Sequence, residues 1–369
     1  MTETNPRTEL LNALPLREDL RGKSPYGAPQ LEVPVTLNTN ENTHPVPTEV
    51  QQAIVEEVSM AALNLNRYPD REFTELREEL AAYLGQGLGP ENLWAANGSN
   101  EILQQLMQAF GGPGRSVLSF VPTYSMYPIL AAGTNTEFIA GQRAADFTLS
   151  PESAAAQVRE HKPSIVILCS PNNPTGTALE DDVVDAVYQA GEASNSIVIV
   201  DEAYAEFARN PATTALSLLP GRPRLVVTRT MSKAFALAGA RIGYFAAAAE
   251  IADAIRLVRL PYHLSAVSQA TALAALRHRS SLLADVEDIK MQRDRIVDEL
   301  KRLGLQPSES DSNFVFFGGD FDAPALWQEL LSRGILIRDV GIAGHLRVTA
   351  GTEEETTAFL EAVETHLTR

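Results

Sequence analysis

The sequence predicts an α/β protein with a mostly parallel central sheet, helices on both faces of that sheet, and a smaller α+β domain. Two observations support this fold class. Apolar runs such as SIVILCS and SIVIV alternate with amphipathic helical segments, and strands that are apolar throughout are typical of a parallel sheet covered on both sides. After residue 265 the pattern changes to two long helical segments followed by short strands, which indicates a separate unit.

The elements follow in order along the chain. Residues 1–45 are rich in Pro, Asn and Thr and predict an irregular arm with at most one short helix. Residues 46–264 predict the large domain, which opens with the helix TEVQQAIVEEVSMAAL. Its further helices are predicted at NEILQQLMQAF and EDDVVDAVYQAGEA, and its strands at SVLSFV, SIVILCS, SIVIVDEAY and RLVVTRT. Residues 265–369 predict the small domain, with helices VSQATALAALRH and SSLLADVEDIKMQRDRIVDELKRLG, strands NFVFFGG and HLRVTAG, and a terminal helix.

The charge balance excludes two classes of partner. The 369 residues include 30 Lys and Arg against 47 Asp and Glu, a net charge of −17. Such a surface repels the phosphates of nucleic acids and anionic lipids, so no nucleic acid and no membrane is expected as a partner. The first residues lack the apolar core of a signal peptide, and no stretch is long and apolar enough to span a bilayer, so the cytoplasm is the expected location.

The cysteine, histidine and glycine content limits the chemistry further. The single cysteine, Cys169, excludes an intrachain disulfide and a Cys-type zinc site, and we interpret it as a small buried hydrophobic residue. The six histidines show no ligand spacing, so no metal site is predicted. The glycines form neither a P-loop nor a G-x-G-x-x-G motif after a strand.

Polar side chains follow the predicted strands directly. Asn172 and Asn173 come after SIVILCSP, Asp201 follows SIVIV, and Lys233 lies just past LVVTRT. Ligands of an open parallel sheet bind at the carboxyl ends of its strands, so we expect these groups at one rim. Lys233 is the single lysine of the small, apolar stretch TRTMSKAFALAGARIGY, where burial and the nearby Arg241 should favour the neutral amine. Lys233 is therefore a candidate nucleophile.

Several motifs resemble those of known enzymes. The segments SPNNPTG, VDEAY and SKAFALAGARIGY resemble the fold type I group of pyridoxal-phosphate enzymes, to which aspartate aminotransferase belongs. The segments TLNTNEN, NRYPD, GSNEIL, PTYSMY, ILIRDV and HLRVTAGT are similar to those of the histidinol-phosphate aminotransferase family. The resemblance covers residues 25–352 and implies pyridoxal 5′-phosphate as the cofactor.

The resemblance implies a role for each residue around that cofactor. Lys233 would form a Schiff base with the cofactor aldehyde and then act as general base and acid. Asp201 would keep the ring nitrogen protonated, Asn173 and Tyr204 would donate to the phenolic oxygen, and Tyr124 would stack on the ring. The phosphate would lie at a helix N-terminus. Its implied ligands are Ser99, Asn100, Thr230, Ser232, Arg241 and, from the neighbouring subunit, Tyr68.

The resemblance also implies a homodimer with shared active sites. The arm, residues 1–45, would join the small domain and the dimer interface. Tyr68 and Tyr26 would each reach the site of the partner subunit. Asn38 and Asn40 are expected to tie the arm near the site without a catalytic role.

The implied substrates carry oxyanions, and arginine side chains bind such groups through paired hydrogen bonds. Arg347 in HLRVTAG is the first candidate to bind both substrates, and Arg338 in ILIRDV is the second. Asn173 and Tyr262 are implied in the same substrate pocket.

The implied reaction is a ping-pong amino transfer between L-histidinol phosphate and 2-oxoglutarate in histidine biosynthesis. An aromatic amino-acid aminotransferase stays open as an alternative because it would share every cofactor residue. A threonine-phosphate decarboxylase on the same scaffold also stays open. A non-catalytic, cofactor-sensing regulator would need a DNA-binding module before the sheet, where the sequence has only a short polar arm.

Overall fold

The computed structural model describes residues 11, 13–22, 27–210 and 214–368. The strands, numbered along the chain, are β1 (Val35–Thr36), β2 (Leu93–Ala96), β3 (Ser116–Val121), β4 (Glu137–Gln142), β5 (Ile165–Cys169), β6 (Ile197–Asp201), β7 (Leu225–Thr230), β8 (Gly243–Ala247), β9 (Gln306–Pro307), β10 (Phe314–Gly318), β11 (Ile335–Leu336) and β12 (His345–Thr349). The α-helices are α1 (Thr48–Ala62), α2 (Thr74–Leu84), α3 (Ser99–Phe110), α4 (Met126–Gly133), α5 (Pro151–His161), α6 (Asp181–Ala190), α7 (Ala249–Arg256), α8 (Ala266–Arg277), α9 (Arg279–Leu282), α10 (Val286–Arg302), α11 (Ala323–Ser332) and α12 (Glu353–Leu367).

Within the described ranges, seven strands form the central sheet in the order β2-β8-β7-β6-β5-β3-β4. Strands β7, β6, β5, β3 and β4 pair in parallel, whereas β8 is antiparallel to both of its neighbours. Every residue of β5, β6 and β7 is buried, as expected of parallel strands that are covered on both faces. The predicted α/β class with a mostly parallel sheet is confirmed.

A second, antiparallel sheet has the order β12-β10-β9. Helices α10, α11 and α12 contact one another or this sheet. Strand β1 of the arm pairs in parallel with β11, so backbone hydrogen bonds tie the arm to the part of the chain that follows residue 265. The domain boundaries after residues 45 and 264 stay predictions.

The apolar core continues from the central sheet into the second sheet. Large side chains of both sheets, among them Trp94, Phe245 and Phe317, are fully buried in it. No helix in the described part of the chain combines the length and the apolar composition that crossing a bilayer would require.

Some elements differ from the sequence expectation. The long helix predicted at SSLLADVEDIKMQRDRIVDELKRLG is divided into α9 and α10, and the acidic pair Glu287 and Asp288 occupies the first turn of α10. Acidic side chains are favourable at a helix N-terminus, so a new helix can begin there. Strand β1 of the arm and strands β2, β4 and β8 of the central sheet were not predicted.

Candidate active site

A cavity of about 160 Å³ lies at the carboxyl ends of β5, β6 and β7. Parallel strands end at one edge of the sheet, so their last side chains meet there. The N-terminus of α3, the loop after β7, strand β12 and the arm supply the other walls. The lining residues are Thr39, Asn40, Ser99, Asn100, Tyr124, Cys169, Asn173, Asp201, Ala203, Tyr204, Thr230, Ser232, Lys233, Arg241 and Arg347. They include every predicted cofactor residue except Tyr68.

Lys233 brings an amine into this cavity from the loop that follows β7. The Nζ atom donates to the carbonyl oxygen of Thr39 at 2.9 Å. Burial lowers the pKa of Lys233 to about 8, and the positive charges of Arg347 and Arg241 act in the same direction. A pKa this low leaves a substantial neutral fraction near physiological pH, and the neutral amine is the form that a nucleophile or a base requires.

Asp201 ends β6 and presents a carboxylate to the cavity. Its Oδ2 atom accepts from the Tyr127 hydroxyl at 2.7 Å, and its Oδ1 atom accepts from Thr228 Oγ1 at 2.9 Å. Burial raises the pKa of Asp201, and the two hydroxyl donors oppose this shift. No Lys or Arg side chain in the described residues compensates its charge. A buried carboxylate of this kind suits a ligand that carries a positive charge.

Tyr204 follows β6 and presents a hydroxyl group to the same cavity. Its oxygen accepts from Asn40 Nδ2 at 3.0 Å and from Asn173 Nδ2 at 3.4 Å. Burial raises the pKa of Tyr204. The hydroxyl therefore stays protonated and can donate to an oxygen atom of a ligand.

The N-terminus of α3 supplies a surface that suits an anion. The helix begins at Ser99, and the amide groups of a first helical turn have no partner within the helix and carry partial positive charge. Arg241 Nη1 donates to Ser232 Oγ at 3.3 Å, and the Ser232 amide donates to Thr230 Oγ1 at 3.1 Å. The Oδ1 atom of Asn100 is buried and has no hydrogen-bond partner among the described residues.

Two glycines allow these groups to approach one another. Gly98 has a φ of +85°, and a Cβ atom at this position would lie 2.4 Å from Nη2 of Arg241. A Cβ atom on Gly243 would lie 2.2 Å from the backbone nitrogen of Ser99. Larger residues at these positions would separate α3 from β8 and from the arginine.

Arg347 reaches the cavity from β12. Its Nη1 atom donates to Asn173 Oδ1 at 2.5 Å, and its Nη2 atom donates to the Asn38 carbonyl oxygen at 2.8 Å. A second cavity of about 260 Å³ adjoins the first, because Tyr124, Asn173 and Arg347 line both, and Arg338 also lines the second one. Arg338 and Arg347 form an antiparallel bridge with two backbone hydrogen bonds of 2.9 Å. The two predicted substrate arginines are therefore neighbours.

Known proteins resemble this chain in sequence and in structure. The sequence matches the family Aminotransferase class I and II over residues 32–363. It is 72% identical over 356 residues to the histidinol-phosphate aminotransferase of Paenarthrobacter aurescens, covering 96% of both chains. It is 55% identical over 355 residues to that of Thermobifida fusca, again with 96% of each chain covered. The chain belongs to the histidinol-phosphate aminotransferases of class I and II.

A solved structure of the same family supports this assignment. Histidinol-phosphate aminotransferase from Sinorhizobium meliloti, solved in complex with pyridoxal-5′-phosphate, matches with a TM-score of 0.83 and 26% identity. The match covers 100% of this chain and 98% of the other. The chain is thus an aminotransferase with the predicted fold, and its family depends on pyridoxal phosphate.

Two of the predicted tyrosines, Tyr68 and Tyr262, do not line the cavity of this aminotransferase chain. Tyr68 is 80% exposed, and its ring stacks on that of Tyr262 with centroids 4.4 Å apart. Tyr262, for which a place in the substrate pocket was predicted, lines neither cavity of the single chain. Tyr26 lies outside the described residues. The role of Tyr68 in a neighbouring subunit stays a prediction.

Sequence reasoning missed three groups of the aminotransferase site. Tyr127 stands three residues after Tyr124 in PTYSMY, and Thr228 stands two residues before Thr230 on β7. Side chains two residues apart on a strand point to the same face, so the position of Thr228 was a usable signal. The carbonyl group of Thr39 gives no such signal, because every residue has one.

Proposed function

We propose that this chain transfers an amino group between L-histidinol phosphate and 2-oxoglutarate, with pyridoxal 5′-phosphate bound at Lys233. The proposal depends above all on one observation, that a partly buried amine and a buried carboxylate, those of Lys233 and Asp201, line the same cavity. The names of the relatives support L-histidinol phosphate as a substrate. The cofactor in the Sinorhizobium meliloti structure supports pyridoxal 5′-phosphate as the cofactor.

The residues of the cavity suit this cofactor. When bound, the cofactor supplies an aldehyde to which amines can be joined and a pyridine ring that takes up electrons. The ionised Asp201 would accept a hydrogen bond from the ring nitrogen and so keep that nitrogen protonated, and Tyr204 would donate to the phenolic oxygen. Ser99, Ser232 and Arg241 would hold the phosphate. The close approach of Arg241 to the first turn of α3 fits this interpretation: a Cβ atom on Gly98 would collide with Arg241 Nη2, so the glycine keeps the guanidinium group beside the helix amides.

Lys233 would move the proton in this reaction. Its Nζ atom has a pKa near the working pH, because burial and two nearby guanidinium groups disfavour the charged amine. Such an amine can take the proton from the Cα atom of the amino donor and give a proton back later in the same turnover. The carbonyl oxygen of Thr39 accepts a hydrogen bond from the amine. Because this oxygen carries no net charge, breaking the hydrogen bond leaves no unpaired charge on Thr39.

Arg347 and Arg338 would recognise the substrates. Backbone hydrogen bonds of an antiparallel β-bridge join these two residues, and both side chains line the cavity beside the cofactor site. A guanidinium group binds carboxylate and phosphate with the same paired geometry, so one anchor can serve both substrates. The contact of Arg347 with Asn173 would fix its orientation.

The active form would be a homodimer with shared sites. Large apolar side chains are exposed in two segments that the stacked Tyr68 and Tyr262 connect. These side chains are Val55, Met60, Leu63, Leu65, Leu257 and Leu260, with exposed fractions between 57% and 86%. Apolar surface of this kind is typical of an interface between subunits. Tyr68 projects from this surface and could reach the site of the partner.

The test is amino transfer by the purified protein from L-histidinol phosphate to 2-oxoglutarate. Lys233→Ala should lower kcat/KM by at least about a thousandfold, because the nucleophile and the base are lost together. Lys301→Ala on the exposed side of α10 is the matched control and should keep full activity. Full activity in Lys233→Ala would refute the assignment. A preference for phenylpyruvate, or release of carbon dioxide from threonine phosphate, would replace the proposed reaction by one of the alternatives.

A further inference from the structure

Tyr127 is a buried residue that the proposed mechanism does not use, and it contacts two groups of the cofactor cavity. It lies on α4 and has no exposed surface. Its hydroxyl donates to Asp201 Oδ2 at 2.7 Å. Its ring lies edge-on to that of Tyr124, with centroids 5.5 Å apart and an interplanar angle of 89°. Tyr127 therefore supports both the acid and the aromatic ring that would hold the cofactor.

The Asp201 carboxylate is fixed at both of its oxygen atoms. Thr228, which is paired with Asp201 in the register of β6 and β7, donates to Oδ1 at 2.9 Å. Two donors on different oxygens, one from a helix and one from a strand, define the plane of the carboxylate. The orientation of the acid is thus set by the protein before any ligand binds.

We propose that Tyr127 is a positioning residue that, together with Thr228, keeps the Asp201 carboxylate ionised and oriented for the ring nitrogen of the cofactor. This inference rests on the proposed function, because it requires Asp201 to face that nitrogen. A buried carboxylate favours the neutral form unless hydrogen bonds stabilise its charge. Hydroxyl donors do this without neutralising the charge, whereas a lysine or arginine would compete with the protonated ring nitrogen for it.

Burial of the Tyr127 side chain and the neighbouring charge of Asp201 raise the pKa of Tyr127. The hydroxyl group consequently keeps its proton and acts as a donor throughout the working pH range. This direction of donation is the one that an ionised Asp201 needs, since a carboxylate can only accept.

The experiment measures how tightly the apoprotein binds two ligands. One is pyridoxal 5′-phosphate, and the other is its 1-deaza analogue, in which a C–H group replaces the ring nitrogen. The proteins compared are the wild type, Tyr127→Phe, Thr228→Val and the control Tyr83→Phe. Tyr83 also donates to a buried carboxylate, that of Glu206, at 3.2 Å, but it does not line the cavity. Each substitution removes one hydroxyl group and leaves the shape of the side chain nearly unchanged.

The wild type should bind pyridoxal 5′-phosphate more tightly than the analogue. Tyr127→Phe should weaken binding of the natural cofactor on the order of tenfold, as expected for loss of a hydrogen bond to a charged group, and should change binding of the analogue by less than about twofold. Thr228→Val should show the same difference in the same direction. Tyr83→Phe should bind both ligands as the wild type does.

Equal weakening of both ligands in Tyr127→Phe would mean a purely structural role, and unchanged binding of both would mean an idle hydroxyl, so either result overturns the inference. If Tyr127→Phe does not fold, Thr228→Val decides by the same measurement. A wild type that binds both ligands equally would instead refute the role of Asp201 in the proposed function, and the inference would fall with it.

Discussion

Replacing Gly98 by alanine should weaken cofactor binding by displacing Arg241. Gly98 is the N-cap of α3 and has a φ of +85°. A Cβ atom there would lie 2.4 Å from Nη2 and 3.2 Å from Cζ of Arg241, so the guanidinium group must move. Since the clash involves the far end of a flexible side chain, the arginine can swing away while the fold persists.

Two separate costs follow from this geometry. With φ +85° and ψ 165°, Gly98 has a backbone conformation that is essentially restricted to glycine, so alanine there costs about 1–3 kcal/mol of folding free energy. A charge-assisted hydrogen bond contributes about 1.5–3 kcal/mol, and each 1.4 kcal/mol is a tenfold change in a dissociation constant. Arg241 is exposed to solvent, so we expect the lower end, an increase of about tenfold in the dissociation constant of pyridoxal 5′-phosphate.

The assay compares two ligands and two glycine variants. Equilibrium dialysis gives the dissociation constants of pyridoxal 5′-phosphate and of pyridoxal, which lacks the phosphate. Gly114→Ala is the matched control, because Gly114 has a φ of +75° and no atom within 4 Å of the added Cβ. Both variants should lower Tm because both place alanine at a positive φ, but only Gly98→Ala should bind pyridoxal 5′-phosphate more weakly. The assignment of Arg241 to the phosphate is wrong if Gly98→Ala binds it normally, or if it loses pyridoxal to the same extent.

Three further predictions concern other parts of the site. The pKa of Lys233 is lowered from 10.5 to about 8 on folding. Between these two pH values the unfolded chain binds one more proton than the folded chain, so the free energy of unfolding should rise with pH across this window. Urea titrations of the apoprotein should show this rise in the wild type and not in Lys233→Met. Arg347→Lys keeps the charge but loses the paired geometry, so steady-state kinetics should show KM for both substrates raised by about tenfold or more, and an effect on one substrate alone would refute the shared anchor. Tyr68→Phe should lose cofactor on dialysis faster than the wild type, and unchanged retention would remove the role assigned to it.

The sequence predicted the strands that are continuous runs of branched apolar residues and missed strands without such a run, among them β2, β4 and β8, although β2 and β8 are fully buried. Strands β5, β6 and β7 contain continuous runs of branched apolar residues, and such short runs are typical of buried parallel strands. Strand β4 is an edge strand with an irregular burial pattern, so it has neither a continuous apolar run nor a clean alternation. Strand β8, with the sequence GYFAA, contains no branched apolar residue, and its alanines continue almost directly into α7, so the sequence alone does not separate the two elements.

The site residues could be predicted by type and not by mutual geometry. The positions of Lys233, Asp201 and Arg241 after strands and within known motifs led to the cavity that the structure contains. The stack of Tyr68 on Tyr262 could not be predicted, because it joins segments almost two hundred residues apart that share no pattern. Contacts between distant loops depend on the whole fold, whereas strand ends are brought together by the sheet itself.

The strand alternation also separates two functions within the motif VDEAY. Neighbouring side chains of a strand point to opposite faces. Asp201 lines the cavity and accepts from Thr228 on the same face of the sheet, whereas Glu202 and Arg229 do not line the cavity. Arg229 binds Glu202 at 2.8 Å and Glu206 at 3.4 Å, and all three are buried or nearly so. Because removing one member of a buried ion pair costs about 3–5 kcal/mol, this group holds the ends of β6 and β7 in a fixed relation. Glu202 thus stabilises the ends of β6 and β7, from which Asp201 would act on the cofactor.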